Sequence, residues 1–274
     1  MVYSQFIAFH DLNADLLKSQ YLTGLSLTGA DGQELPPDFY AQHIANAIAK
    51  LEDMTNVDIL TRVNIGERHD YDVNNYQRFG YIQLFRVPVQ RVLGFRAAYP
   101  GGQAASYPGE WLRLDQRYAQ LHMVPTIGSG QLLLGAGGDY LPYIFSGMGY
   151  LPSLWEIDYV SGFSDDTSPL ARTNGVNISD QGVTGGVPRM IADAIMKLAV
   201  VEILSVMSDT VAPIGQTSQS LGVDGLSQSR SYGVQAFKSR VDRYLGDLGL
   251  PGPPYSGLIA QIRNTYLGFT LTSV

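Results

Sequence analysis

Apolar and polar positions alternate with a helical period at both ends of this chain and with a strand period in one block between. The strongest helical pattern covers residues 188–209, PRMIADAIMKLAVVEILSVMSD. Pro188 suits a first helical position, because its missing N–H has no use in the first turn. Arg189, Asp193 and Lys197 fall four apart and form a polar stripe. Beyond Lys197 that stripe stops, leaving Glu202 and Ser205 among Leu198, Val200, Val201, Ile203, Leu204, Val206 and Met207. A helix apolar almost all round must be covered on several sides, by the rest of the chain or by copies of it. Two charges interrupt the run, which argues against a membrane span.

Two earlier stretches also read as helix. Residues 11–20 place Leu12, Leu16 and Leu17 on one face, with Asp11 as the expected N-cap. Pro36 and Pro37 open a second, with Tyr40, Ile44, Ala47, Ile48 and Leu51 at helical spacing. After Met54 the period changes. Residues 57–63, 81–87, 91–99, 110–114, 120–124 and 154–160 are strand candidates. Segments 111–114 and 120–124 read as a hairpin. In 154–160, Trp155, Ile157 and Tyr159 share one face and Glu156 and Asp158 the other. Residues 126–150 are rich in Gly and aromatics, as in a binding or assembly loop.

Past the long helix, residues 212–231 are rich in Ser, Gln and Gly, fitting a flexible linker or an arm ordered by a partner. Residues 233–248 are amphipathic, with Val234, Phe237, Val241, Tyr244, Leu245 and Leu248 on one face. A short helix at 258–266 precedes a tail in which Leu267, Phe269 and Leu271 alternate with Gly268, Thr270 and Thr272. The expected class is α+β: a helical platform with an inserted antiparallel β domain and an extended C-terminal arm. The expected parts are an N-terminal helical part (1–56), the β domain (57–162), and the central helix with its arm (187–274).

Composition narrows the functional classes. Charged residues are 16% of the chain, against roughly 25% in ordinary soluble domains, while Gly (30) and Tyr (17) are abundant. That balance fits a surface largely used in contacts. A net charge of −7 argues against a basic patch gripping nucleic acid, though not against an acidic wall past which DNA slides. The absence of cysteine excludes disulfides and thiolate metal sites and fits a reducing compartment. No basic and apolar leader of the secretory kind is visible at the N-terminus.

Chemistry is sought and mostly not found. There is no Gly-Lys-Ser/Thr phosphate loop and no Gly-x-Ser-x-Gly elbow, and the glycines at 135–138 lack dinucleotide spacing. His69-Asp70-Tyr71-Asp72 is the densest titratable cluster, best read as a polar loop before a strand. Asp165-Asp166 reads as solvated. No catalytic residue, cofactor or metal is expected. Glu202 stands out, since a charge inside an apolar helix is costly unless paired. It is either an exposed residue on a residual polar edge or one half of a contact between subunits. Val200, Glu202 and Ile203 are the expected subunit-interface positions.

Three segments together resemble tailed-phage head–tail connector (adaptor) proteins. They are residues 81–99, YIQLFRVPVQRVLGFRAAY; residues 151–163, LPSLWEIDYVSGF, leading to Val187-Pro188; and residues 220–229, SLGVDGLSQS. The resemblance spans most of residues 36–248. It implies a structural virion protein, made in the host cytoplasm and placed in the neck. There it would form a homo-oligomeric ring, usually of twelve copies, between the portal protein and a further neck or tail protein. Genomic DNA would pass through without specific binding, and no membrane is involved. It also implies a C-terminal segment that holds the portal, with Leu267, Phe269, Leu271 and Val274 as the docking residues; the other outcome open to this tail is to close an edge of the chain's own β domain. The alternatives are another neck or tail protein such as a tail terminator, or a β-rich carbohydrate-binding module using Trp111, Trp155 and tyrosines.

Overall fold

A computed structural model describes residues 6–25, 27–28, 33–72, 80–98, 104–124, 149–165, 176–179, 183–211, 219–223, 226–230, 237–250 and 256–267. The expected loop at 126–148, Asp166, Val234, Phe269, Leu271 and Val274 lie outside the described residues. The chain forms two compact units, residues 1–55 with 188–264, and residues 56–187 with 265–274. The fold is α+β.

The first unit is helical. Helix α1 (Ala14–Leu16) passes into a π-helical turn, Leu17–Tyr21. Its N-cap is Asn13, whose side-chain oxygen accepts from the N–H groups of Asp15 and Leu16 at 3.1 and 3.0 Å. Asp11, the expected cap, instead closes a 3-10 turn, Phe9–Asp11. Asn13 wins because its side chain lies one residue ahead of the helix, where it can reach two unsatisfied donors. Helix α2 (Pro37–Thr55) buries Tyr40, Ile44, Ala47, Ile48 and Leu51, the stripe expected from spacing. Helix α3 (Arg189–Val211) packs against α2 and against α4 (Lys238–Leu248). Helix α5 (Gly257–Tyr266) follows.

The apolar girth of α3 is covered within the chain. Ile191, Ile195, Leu198, Val200, Ile203 and Leu204 are all buried. Its polar stripe is tied down as well. Lys197 Nζ lies 3.0 Å from Asp193 and 2.9 Å from Asp247 at the end of α4. The Tyr21 hydroxyl donates to Asp193 at 2.9 Å, and the Tyr244 hydroxyl donates to the Tyr21 carbonyl at 3.0 Å.

The second unit is β-rich. Its strands are β1 (Arg62–Asp72), β2 (Ile82–Gln83), β3 (Val89–Ala98), β4 (Ala104–Ser106), β5 (Leu112–Asp115), β6 (Gln120–Met123), β7 (Tyr150–Ser161) and β8 (Asn177–Ser179). They make two four-stranded sheets, ordered β1-β7-β3-β4 and β2-β6-β5-β8. Every pair is antiparallel except β5 with β8. The 112–123 hairpin forms as expected, with Leu112 opposite Met123. So does the two-faced strand: Trp155, Ile157 and Tyr159 are buried, while Arg96 binds Glu156 and Asp158 on the opposite face at 3.0 and 2.8 Å.

Strand boundaries differ from the sequence reading in several places, three of them around β1, β2 and β3. Residues 57–61 are not strand; Val57, Asp58 and Ile59 are buried in irregular backbone, and the Asp58 N–H donates to the Val87 carbonyl. Residues 69–72 are the end of β1 rather than a loop. The 81–87 segment contributes only the two residues of β2 and then turns through a cis Val87–Pro88 bond into β3. Proline cannot donate to a ladder, so a long strand there was not sustainable.

Residues 212–231, read as a linker or arm, contain a hairpin. Strand β9 (Gln219–Val223) pairs antiparallel with β10 (Leu226–Arg230), from Gln219↔Arg230 to Val223↔Leu226. Two residues, Asp-Gly in sequence, separate the strands, the spacing and composition of a tight hairpin connection.

Candidate functional site

In the β unit the polar residues of β1 do not converge on a pocket. Strand geometry sends alternate side chains to opposite faces, and the cluster at 69–72 divides accordingly. His69 turns inward, its Nε2 donating to Glu67 at 2.7 Å. Asp70 turns outward, accepting from the Tyr150 hydroxyl and the Ser153 N–H, each at 2.7 Å. The Ser153 N–H and the Tyr150 hydroxyl hold the Asp70 carboxyl below its usual range. Among the described residues, no three His, Asp or Glu side chains gather as a metal site would require.

Glu67 is the residue that sequence reasoning missed. Its side chain is 9% exposed, yet it accepts from three donors: His69, the Phe85 N–H at 2.9 Å, and the Tyr159 hydroxyl. Burial opposes its ionisation, but these hydrogen bonds outweigh that and hold its carboxyl below the usual range. Burial, and then the Glu67 carboxylate, push the Tyr159 hydroxyl far above the ordinary tyrosine value. The network anchors the 85–86 backbone to two strands. It thereby holds Phe85 in the open, 63% exposed, with its ring 4.6 Å from the His69 ring.

Beside this anchor lies an apolar edge. Strand β1 has β7 on one side and, among the described residues, no strand on the other. On and just before it, Leu60 is 50% exposed, Val63 56% and Ile65 77%. The pairing with β7 is interrupted between Asn64 and Glu67, where the Gly66 N–H donates to Asp158 at 2.6 Å. The two tryptophans offered for stacking on sugar are not displayed. Trp155 is buried against Phe95, at 5.1 Å between ring centres, and Trp111 is half-buried against Tyr107. A carbohydrate platform on Trp155 is therefore excluded by burial.

In the helical unit, Glu202 lies beside Lys50 and His43 of α2. Its carboxylate is 3.5 Å from Lys50 Nζ and 3.6 Å from His43 Nδ1. The charge that looked stranded in an apolar run is thus paired within its own unit. Val200 and Ile203, expected at a subunit interface, are buried in the single chain. Val206, 43% exposed, is an apolar side chain the helix displays. The same unit carries a groove of about 990 Å³ lined by Asp11, Asp15, Tyr21, Arg189, Met190 and Asp193, among others. Of the expected portal-docking residues only Leu267 is described, half-buried, one residue after α5. No described helix is long and apolar enough to cross a membrane.

No protein-family model and no curated protein sequence matches the chain. Solved structures with similar chains include the neck of an empty GTA particle computed with C6 symmetry, at 17% identity and TM-score 0.36, covering 84% of this chain and 86% of that one. A chain in the virion of the native gene transfer agent (GTA) particle is similar at 15% identity and TM-score 0.40, covering 94% and 91%. A chain in the neck of the native GTA particle computed with C12 symmetry is similar at 19% identity and TM-score 0.33, covering 75% and 80%.

Proposed function

We propose that this chain is a structural virion protein of the neck. It acts as a head–tail connector that forms a ring between the portal and the tail and lines the channel for DNA. The observation that carries the reading is where the three connector-like segments fall. Residues 81–99 supply the Phe85 display, the turn through Pro88 and strand β3. Residues 151–163 supply most of β7 and pass through Gly162, whose φ is +92°, to Phe163. Residues 220–229 lie within the β9–β10 hairpin. These segments build the framework of the β unit and its displayed aromatic, plus the hairpin of the helical unit, rather than a pocket with reactive groups.

Exposed apolar side chains at Leu60, Val63, Ile65 and Phe85 support a protein built for contact, because a ring subunit keeps such surface for its neighbours. The net charge of −7 suits a channel wall that must release DNA. In this reading subunit contact in the helical unit falls on the α3 segment with Val200, Glu202 and Ile203, beside the exposed Val206. The C-terminal residues Leu267, Phe269, Leu271 and Val274 dock on the portal. Mass photometry of the purified protein, alone and with portal, tests the proposal. Closed rings of uniform copy number, bound to portal, are the expected result. A monomer at every concentration that also fails to bind portal rejects it.

A further inference from the structure

Among the described residues the β9–β10 hairpin and strand β1 each present an open edge, and we propose that these meet between neighbouring copies: the hairpin of one subunit extends the β1 edge of the next. The inference rests on the ring reading above.

Consider the hairpin first. Neither β9 nor β10 pairs with any other described strand, so its sheet has two strands and two open edges. A lone two-stranded hairpin is marginal in water, and a third strand is what stabilises it. Natural proteins blunt free edges with lysine, proline or inward charges. The sequence QSLGV of β9 and LSQSR of β10 contains no lysine or proline, and Arg230 is its one charge. The hairpin thus lacks the features that keep an unused edge unpaired.

The acceptor is β1. It is the outer strand of its sheet, and its first half presents Val63 and Ile65 to solvent, with Leu60 just before it. Arg62 is the one charge between Leu60 and Ile65, so β9, which carries no charge, meets no like-charge opposition when laid beside it. Strand addition would satisfy backbone groups on both partners and cover this apolar run. Residues 212–218 and 231–236 join the hairpin to α3 and α4. At about 3.5 Å per residue, these tethers let it reach outward by at most roughly 20 Å. A donor edge and an acceptor edge at different places on one chain give a head-to-tail contact, which closes into a ring when the rotation permits.

The absence of cysteine provides a clean background for the test. Ile65→Cys is combined with Ser220→Cys or with Ser229→Cys, and the assembled protein is mildly oxidised. The expected result is a ladder of covalent oligomers on a non-reducing gel from at least one double variant, with no ladder from any single variant. Replacing residues 219–230 by a Gly-Ser linker of equal length should raise the concentration needed for ring assembly at least tenfold, with the melting temperature of the monomer unchanged. A disulfide closing within one chain overturns the proposal, as do rings of normal size that yield no ladder and tolerate the linker. Those two results leave the ring reading standing. Wild-type protein that never forms rings overturns both.

Discussion

Glu67 shows how much one buried carboxylate organises. Three donors from three places in the chain, His69, the Phe85 N–H and the Tyr159 hydroxyl, converge on it. Glu67→Ala would leave all three without this acceptor; a buried donor so stranded costs about 1–3 kcal/mol, and the His69 and Tyr159 side chains are the enclosed ones. The expected loss is about 3 kcal/mol in the β unit, read by chemical denaturation, with Glu67→Gln losing less because an amide oxygen still accepts. The carboxyl is held below its ordinary value of 4.5 in the folded state. Its contribution is therefore complete above about pH 4.5 and is lost as pH falls through the lower folded value. The melting temperature of wild type should drop more steeply in that acidic window than that of Glu67→Gln. Equal slopes would show that the network does not depend on the charge. Ile65→Asp sits a few residues away with a different role. At 77% exposure it should change monomer stability by no more than about 0.5 kcal/mol while abolishing rings in mass photometry. Unchanged ring formation would remove this edge from the interface.

At the scale of elements, the end of α4 depends on a glycine. Gly249 has a φ of +85°, its N–H donates to the Leu245 carbonyl at 3.0 Å, and an added Cβ would meet the Ser256 carbonyl oxygen at 1.9 Å. Gly249→Ala therefore suffers both a left-handed backbone and a backbone clash. A loss of at least about 2 kcal/mol is expected, visible as a lower urea midpoint; an unchanged midpoint would mean that the turn relaxes freely. The helices were legible in the sequence because burial follows a 3.6-residue period. Tyr40 through Leu51 showed their stripe, and Gly257–Tyr266 was placed within one residue. The β1 boundary was not legible. Val57 and Ile59 look like strand residues because they are buried, yet they sit in irregular backbone; Glu67 and His69 look like loop residues, yet they pair with each other in the interior. Apolar pattern reports burial, and at this strand burial and strand geometry part company. The candidate surface was legible only in part. Glu202 stood out as a charge in an apolar run, but Lys50 and His43 become its partners only when α2 packs on α3. The openness of β1 follows from strand order, which no local pattern carries.

At the scale of the molecule, the helical unit takes residues from both ends of the chain, whereas the β unit is almost entirely the continuous stretch 56–187. An insertion of that kind carries its own core. Trp155, Ile157, Tyr159, Leu112, Leu114 and Leu121 are buried together with Phe95 in the two sheets. Residues 56–187 expressed alone are therefore expected to fold cooperatively, with a strand-type circular dichroism spectrum and a single melting transition. The excision forfeits a contact with Tyr266. Phe163, fully buried, meets the ring of Tyr266 edge-on at 5.6 Å between centres, and Tyr266 is so enclosed that its hydroxyl is pushed up to about 12. Losing an aromatic pair of this geometry costs about 0.5–1.5 kcal/mol beyond the area uncovered. The excised fragment should melt a few degrees lower than the β unit in the whole chain. Residues 1–55 and 188–264 expressed as separate pieces should behave oppositely, because α3 has its cover from α2 on one piece and from α4 on the other. Neither piece is expected to be more than partly helical until the two are mixed. A fragment 56–187 that stays unfolded, or a 188–264 piece that folds alone, would show that the two units are not the cooperative parts of this protein.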